Sequence, residues 1–308
     1  MNKIAVLIPC YNEELTIEKV VKDFKSELPD ADIFVYNNNS KDKSEEIARD
    51  AGAIVVNEYK QGKGNVIRSM FRDVDADIYI MVDADDTYPA NEVHELIKIV
   101  EEGKADMVIG DRLSNGTYEN ENKRNFHNLG NMIVKNSINL IFNSNLKDIM
   151  TGYRVFNRDF VKNFPVISKG FEIETEMSFH ALDRNYKIVE IPITYKDRPE
   201  GSESKLNTFS DGFRVLLTIF NMCKNYKPFA FFSIISFVLL IISLIIGVPV
   251  FIEFFKTGLV TKFPSGILAT GIAICGILFF ISGVILDTLV RQHKETLELF
   301  RTVNNKKI

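Results

Sequence analysis

From Phe229 to Ile252 the chain carries no charged side chain and is built largely of Ile, Leu, Val and Phe. As a helix rising 1.5 Å per residue, such a run is long enough to cross the ~30 Å hydrocarbon core of a bilayer. A second apolar run extends from about Ser265 to Val290, with Asp287 near its end. The alternative is a buried helical hairpin inside a soluble core, where runs this long and uncharged are rare. Gly266, Gly271, Gly276 and Gly283 let another helix approach closely and permit self-association, although no strict GxxxG motif is present.

The flanking cations orient these spans. Lys224 and Lys227 precede the first, and Arg291, Lys294, Arg301, Lys306 and Lys307 follow the second. The connecting loop holds Lys256 and Lys262 together with Glu253. The positive-inside rule therefore puts both termini and the large N-terminal domain in the cytoplasm, on a multi-pass protein of the cell membrane. The chain enters an apolar strand almost at once, so no signal peptide is expected. Two further stretches read as interfacial helices, Phe126 to Phe142 and Phe209 to Tyr226. For the first, packing on the domain's own core is an equal alternative. The expected division is a cytosolic domain over 1–205, a juxtamembrane helix over 206–228, two transmembrane helices over 229–290 and a cytosolic tail over 291–308.

Outside the spans the chain reads as an ordinary folded protein, with 46% hydrophobic and 25% charged residues among 308. Its net charge of -4 argues against a nucleic-acid binder. Three scattered cysteines make neither a disulfide framework nor a zinc pattern, and four scattered histidines lack ligand spacing. Ile4 to Ile8 is a continuous apolar run, as a strand buried on both faces requires. Helical periodicity follows at Ile17, Val20, Val21, Phe24 and Leu28. Further strands are expected at Asp32 to Tyr36, Ala53 to Val56, Ile78 to Val82 and Met107 to Ile109, with helices between them. This alternation predicts an α/β domain with a mostly parallel, Rossmann-like sheet covered on both faces. Ligands of such sheets sit beyond the carboxyl ends of the strands.

The polar motifs lie at those ends. The first strand runs into Pro9-Cys10-Tyr11-Asn12-Glu13, a stiffened turn suited to holding a ring and a carboxylate over a base and ribose. The second ends in Asn37-Asn38-Asn39-Ser40, which reads either as Asx turns or as amides facing a nucleobase. After the third comes Gln61-Gly62-Lys63-Gly64, where glycines allow close backbone approach and a lysine beside a helix start suits a diphosphate. It is neither a Walker A loop nor a GxGxxG fingerprint. The fourth strand ends in Asp83-Ala84-Asp85-Asp86. Clustered carboxylates there suit a hard divalent ion bound together with diphosphate oxygens, or else a solvated loop opening the next helix. The Lys63 loop one β-α unit earlier favours the metal.

Taken in order, Pro9-Cys10-Tyr11-Asn12-Glu13, Gln61-Gly62-Lys63-Gly64 and Asp83-Ala84-Asp85 resemble family 2 glycosyltransferases of the GT-A fold. Asp111-Arg112, Asp148-Ile149-Met150-Thr151-Gly152-Tyr153-Arg154 and Arg198-Pro199-Glu200-Gly201-Ser202-Glu203-Ser204-Lys205 resemble the polyprenyl-phosphate and dolichol-phosphate hexosyltransferase branch, as do the two C-terminal spans. The resemblance implies an inverting, metal-dependent enzyme that passes a hexose or N-acetylhexosamine from a nucleotide-sugar, UDP favoured, to polyprenyl (undecaprenyl) phosphate. It implies Asp85 as ligand of Mg2+ or Mn2+, with Asp83 near the metal or ribose. Pro9, Tyr11, Asn12, Glu13, Asn37, Asn39 and Lys63 would line the nucleotide-sugar. Arg112, Arg124, Arg198 and Lys205 would bind the acceptor phosphate through forked or ammonium donors. Asp148 would orient the acceptor, act as a base, or cap a turn. Glu172, Glu174 and Glu176 would support the acceptor-side cations, or else Glu172 and Glu176 are helix neighbours on a solvated face. Two departures stand out: Asn37 replaces a commoner acidic residue, and Thr87 stands where some relatives have a Gln ligand.

Two other functions fit parts of this pattern. A processive polysaccharide synthase shares the nucleotide half, but those enzymes resemble one another in a QxxRW motif and this chain has no Trp. A non-catalytic membrane scaffold with a transferase-like domain would not need Asp83, Asp85, Lys63 and Arg198 together.

Overall fold

The structure is a computed structural model and describes residues 2–116, 125–199, 201, 217, 219–221 and 223–305. It divides into two compact units, 1–218 and 219–308.

The first unit follows the expected alternation: β1 (Ile4–Cys10), α1 (Ile17–Glu27), β2 (Asp32–Asn37), α2 (Ser44–Asp50), β3 (Ile54–Asn57), α3 (Lys63–Asp73), β4 (Ile78–Met81), α4 (Val93–Glu101) and β5 (Met107–Asp111). Then come α5 (Asn125–Phe142), β6 (Arg154–Asn157), α6 (Arg158–Asn163), α7 (Ile173–Asp183) and β7 (Ile188–Pro192). The seven strands form one sheet in the order β3-β2-β1-β4-β6-β5-β7. Pleating sends successive side chains to opposite faces. Val6, Ile8, Ile78 and Ile80 join a core with Val20, Val21 and Phe24 of α1 and Val93, Leu96 and Ile97 of α4. Ala5, Leu7, Tyr79 and Met81 join a second core with Ile67 and Met70 of α3 and Ile173 and Met177 of α7. Burial on both faces explains why β1 reads as an unbroken apolar run.

One strand breaks the parallel pattern, and sequence alternation did not reveal it. β6 lies between β4 and β5 and is antiparallel to both. Its first residue, Arg154, is fully buried. Its guanidinium donates to the carbonyls of Thr151 and Ile149 and to the Ser178 hydroxyl. Burial lowers its pKa to about 10. A charged residue opening a short strand hides the strand from any apolar pattern. The reversal matters because it brings the amino end of β6, preceded by Asp148 to Tyr153, to the edge where the other strands have their carboxyl ends.

α5 packs on the unit's own core over its second half. Val134 and Ile138 are buried and Phe142 makes an edge contact with Phe179 of α7 at 4.9 Å. Met132 and Leu140, the latter 85% exposed, face away.

The second unit is a helical hairpin of α8 (Pro228–Thr257) and α9 (Phe263–Asn305), joined through Gly258 in the left-handed conformation (φ 70°). Both helices are long and apolar enough to cross a membrane, with mean hydropathy 3.0 and 2.4 over their most apolar 18 residues within Pro228–Thr257 and Phe263–Thr296. Only 6% and 17% of their most apolar windows are buried, which does not fit a hairpin inside a soluble core. Gly276 meets Leu240 and the Ser236 carbonyl, Gly283 meets Phe232 and Phe229, and Gly247 meets Ala269. These glycines therefore serve the hairpin's own seam, where Ser243 also donates to the Ala269 carbonyl. Residues 219–221 and 223–226 are helical, whereas 206–216 of the expected juxtamembrane helix lie outside the described residues.

Candidate active site

The carboxyl ends of β1, β2, β4, β5 and β7 share one edge of the sheet, and the polar motifs gather there in three groups.

The first group surrounds the acidic pair after β4. Asp83 accepts from the Lys63 ammonium at 2.5 Å, and the same ammonium donates to Glu174 at 2.5 Å. Asp85 accepts from the Thr87 hydroxyl at 2.7 Å and from Arg198 at 2.5 Å. Arg198 also reaches Glu13 at 3.3 Å. Burial pushes the Asp85 carboxyl above its ordinary range and the neighbouring charge of Asp83 adds to this, outweighing Arg198 and Thr87. Burial alone would lower the Lys63 pKa, but Asp83 and Glu174 overcome it and hold the ammonium protonated. Three non-glycine residues around this edge, Asn12, Asn39 and Asp86, have positive φ. Such conformations concentrate at functional sites.

These contacts revise the expectation for Lys63. Its side chain is only 9% exposed and is committed to two carboxylates, so it serves the acidic pair rather than an open diphosphate cradle. Its flanking glycines also have a different partner. A Cβ on Gly62 would fall 2.1 Å from the Lys169 carbonyl oxygen, and one on Gly64 would fall 2.3 Å from that of Ser168. The close approach the glycines allow is to the chain's own 168–169 backbone. Arg68 clamps the same segment through the carbonyls of Val166, Ile167 and Ser168. Glu176 accepts from the amides of Ile167 and Ser168, and Glu172 from those of Lys169 and Gly170. The three glutamates thus hold this loop and Lys63, and Glu176 is buried rather than on a solvated face.

The second group lies beyond β5. Arg112 makes a forked ion pair with Asp148, at 2.8 and 3.0 Å, while its backbone amide donates to the same carboxylate at 3.1 Å. Asp148 is 2% exposed. A carboxylate so enclosed orients Arg112 and secures the turn, which favours the capping alternative for Asp148. Glu190 anchors the turn by accepting from the amides of Lys147 and Asp148. The Arg112 guanidinium sits 5.8 Å from the centre of the Tyr195 ring. Tyr88 lies between the groups, its hydroxyl accepting from the Gly152 amide and its ring meeting Tyr195. Gly152 has no room for a side chain: a Cβ would stand 2.3 Å from Asp83 Oδ2.

The third group joins the ends of β1, β2 and β3. Asn37 donates to Glu45 and Asn57 and accepts from the Ser40 amide. Asn38 and Asn39 donate to the carbonyls of Glu58, Lys60 and Tyr59. The Asx-turn reading therefore describes Asn37, whereas Asn39 bridges to the segment after β3 through Tyr59 and Gln61. Asn12 accepts from the Lys41 amide and Tyr11 is half-buried. Pro9 pairs within β1 opposite Tyr36. Arg124 and Lys205 lie outside the described residues.

Glycosyl transferase family 2 matches residues 5–164, more than half of the chain. Glycosyltransferase AglJ of Haloferax volcanii is 30% identical over 96% of both chains. The chain belongs to glycosyl transferase family 2. A protein of the same organism named dolichyl-phosphate hexose transferase is 27% identical over 73% of this family 2 chain and 95% of its own length. Among solved structures, glucosyl-3-phosphoglycerate synthase from Mycobacterium tuberculosis, in complex with Mn2+, UDP-glucose and phosphoglyceric acid, superposes with a TM-score of 0.60. It covers 72% of this chain and 80% of that one at 19% identity, which establishes the GT-A fold. Among the described residues no three His, Cys, Asp or Glu side chains converge to hold an ion unaided. Two hard carboxylates at a strand end, already drawing Lys63 and Arg198 as counter-charges, fit an ion that takes its remaining ligands from substrate phosphates and water.

Proposed function

We propose that this glycosyltransferase passes a hexose or N-acetylhexosamine from a nucleotide-sugar, with UDP as the favoured nucleotide, to polyprenyl (undecaprenyl) phosphate at the cytoplasmic face of the membrane. The observation that carries the reading is the placement of Asp83 and Asp85 on the same sheet edge as Arg112 and Arg198. One set suits a donor diphosphate with Mg2+ or Mn2+, the other an acceptor phosphate. The names of the similar proteins point the same way, to dolichyl phosphate as acceptor in one relative and to UDP-glucose with Mn2+ in a structural neighbour.

Asp85 and Asp83 would hold the divalent ion, which when bound offsets the charge developing on the departing nucleotide diphosphate. For Asp85 to do so, Arg198 gives up its contact and its fork becomes available to the acceptor phosphate. Arg112, already aimed by Asp148, meets the same phosphate. Tyr11 and Glu13 flank the base and ribose. A phosphate oxygen of the acceptor bonds to the anomeric carbon as the bond from that carbon to the diphosphate oxygen breaks. The acceptor is already ionised, so no side chain needs to remove a proton, and a single direct attack inverts the anomeric centre. Positioning and charge compensation supply the acceleration. The α8–α9 hairpin would tether the chain to the membrane that holds its lipid acceptor.

The test is transfer by the full chain in nanodiscs, with Mg2+ or Mn2+, undecaprenyl phosphate and in turn UDP-glucose, UDP-N-acetylglucosamine and GDP-mannose. A glycolipid bearing one sugar is expected. A polymer would favour a processive synthase, and no product with any donor would overturn the proposal.

A further inference from the structure

We propose that Glu174 is a positioning residue for the acidic pair: by sharing the Lys63 ammonium it leaves Asp83 with negative charge for a divalent cation. This rests on the donor-site reading above. The geometry is a short relay through one ammonium. Lys63 Nζ stands 2.5 Å from an oxygen of Asp83 and 2.5 Å from an oxygen of Glu174. A lone lysine at this distance would neutralise Asp83. With Glu174 present, one ammonium serves two carboxylates and the trio keeps a net charge of about -1.

Burial makes the arrangement rigid. Glu174 is 3% exposed and belongs to the first turn of α7. α7 is set by the loop before it, which Arg68, Glu172 and Glu176 bind through backbone groups and which Gly62 and Gly64 contact directly. Gly152 packs against the same carboxylate, where a Cβ would stand 2.3 Å from Oδ2 and 2.8 Å from Oδ1. Asp83 is therefore held by an ammonium that it shares with α7 and by a glycine that leaves its carboxylate room. A buried glutamate is expensive unless paired, so its presence behind Lys63 calls for a role that a neutral residue would not fill.

The decisive measurement is Mn2+ binding to the full chain in nanodiscs with UDP present, read by electron paramagnetic resonance. Glu174→Gln is expected to weaken Mn2+ about tenfold, raise the KM for the donor in step, and leave the acceptor KM and saturating kcat within about twofold. Lys63→Gln/Glu174→Gln removes one charge of each sign, restores the net charge at Asp83, and is expected to bind Mn2+ within about threefold of wild type. Wild-type affinity in folded Glu174→Gln would overturn the proposal. So would a double variant as weak as, or weaker than, the tenfold loss, and that arm stands even if the single variant does not fold. If the wild type itself takes up no Mn2+ with UDP, the donor-site reading fails instead.

Discussion

Arg198 donates to Asp85 at 2.5 Å and so joins the segment after β7 to the end of β4, across 113 positions of sequence. The two side chains neutralise each other's charge at the sheet edge. Under the proposed function, a divalent ion at Asp85 would free Arg198 for the acceptor phosphate, which would couple the two half-sites.

Asp85→Asn should abolish most transfer, by about 10^2-fold or more in kcat, while the folded chain survives. The asparagine keeps the shape and the Thr87 hydrogen bond but loses the charge. Transfer measured at saturating Mn2+ checks this, and near-wild-type turnover would remove Asp85 from the metal.

Arg198→Ala separates the residue's two contacts. Acceptor turnover at low acceptor should fall roughly 10^2-fold through the lost fork. Mn2+ affinity should stay equal to wild type or increase, because Asp85 no longer pairs with a cation. Parallel loss of both would contradict the exchange.

Gly64→Ala tests why the glycines flank Lys63. The added methyl would stand 2.3 Å from the Ser168 carbonyl oxygen, so the 166–170 loop must shift. Overpacking of this kind costs about 1–3 kcal/mol, seen as a fall of several degrees in Tm. A phosphate cradle would instead predict lost donor affinity at unchanged Tm.

Cys10 should resist alkylation. Burial raises its pKa to about 12, with the hydrogen bond from Ser44 only partly opposing this. A raised thiol pKa keeps the neutral, unreactive form, and at pH 8 only about one part in 10^4 is thiolate. Iodoacetamide with peptide mapping should modify Cys10 in the denatured chain and spare it in the native one up to about pH 10.

Topology is open to a direct check. In a chain with Cys223 and Cys275 replaced by Ser, Leu259→Cys in the hairpin loop should react with an impermeant maleimide added to intact cells. Lys294→Cys, beyond the second span, should react only after permeabilisation. The reverse pattern would put the acidic pair on the wrong side for a cytoplasmic nucleotide-sugar.

Much of the fold was legible because its strands are buried on both faces. β1 and β4 have no polar residue to interrupt the apolar run, so their pattern survives without knowledge of neighbours. β6 was not legible, since Arg154 opens it and draws its compensation from the carbonyls of Thr151 and Ile149 and from Ser178. The same contrast holds in the site. Asp83 and Asp85 are visible as carboxylates at a strand end, whereas the meaning of Glu174 depends on a lysine from another helix.

The amino-acid sequence by itself determined the two apolar spans, the α/β alternation and the chemical identity of the motifs, because each depends on residues close together along the chain. Tertiary structure alone decided the partners. It turned Lys63 toward Glu174, tied Asp148 to Arg112, and spent Gly62 and Gly64 on the 168–169 backbone. Charge pairing and close contact are set by distance in space, and only the folded sheet brings these distant segments to one edge.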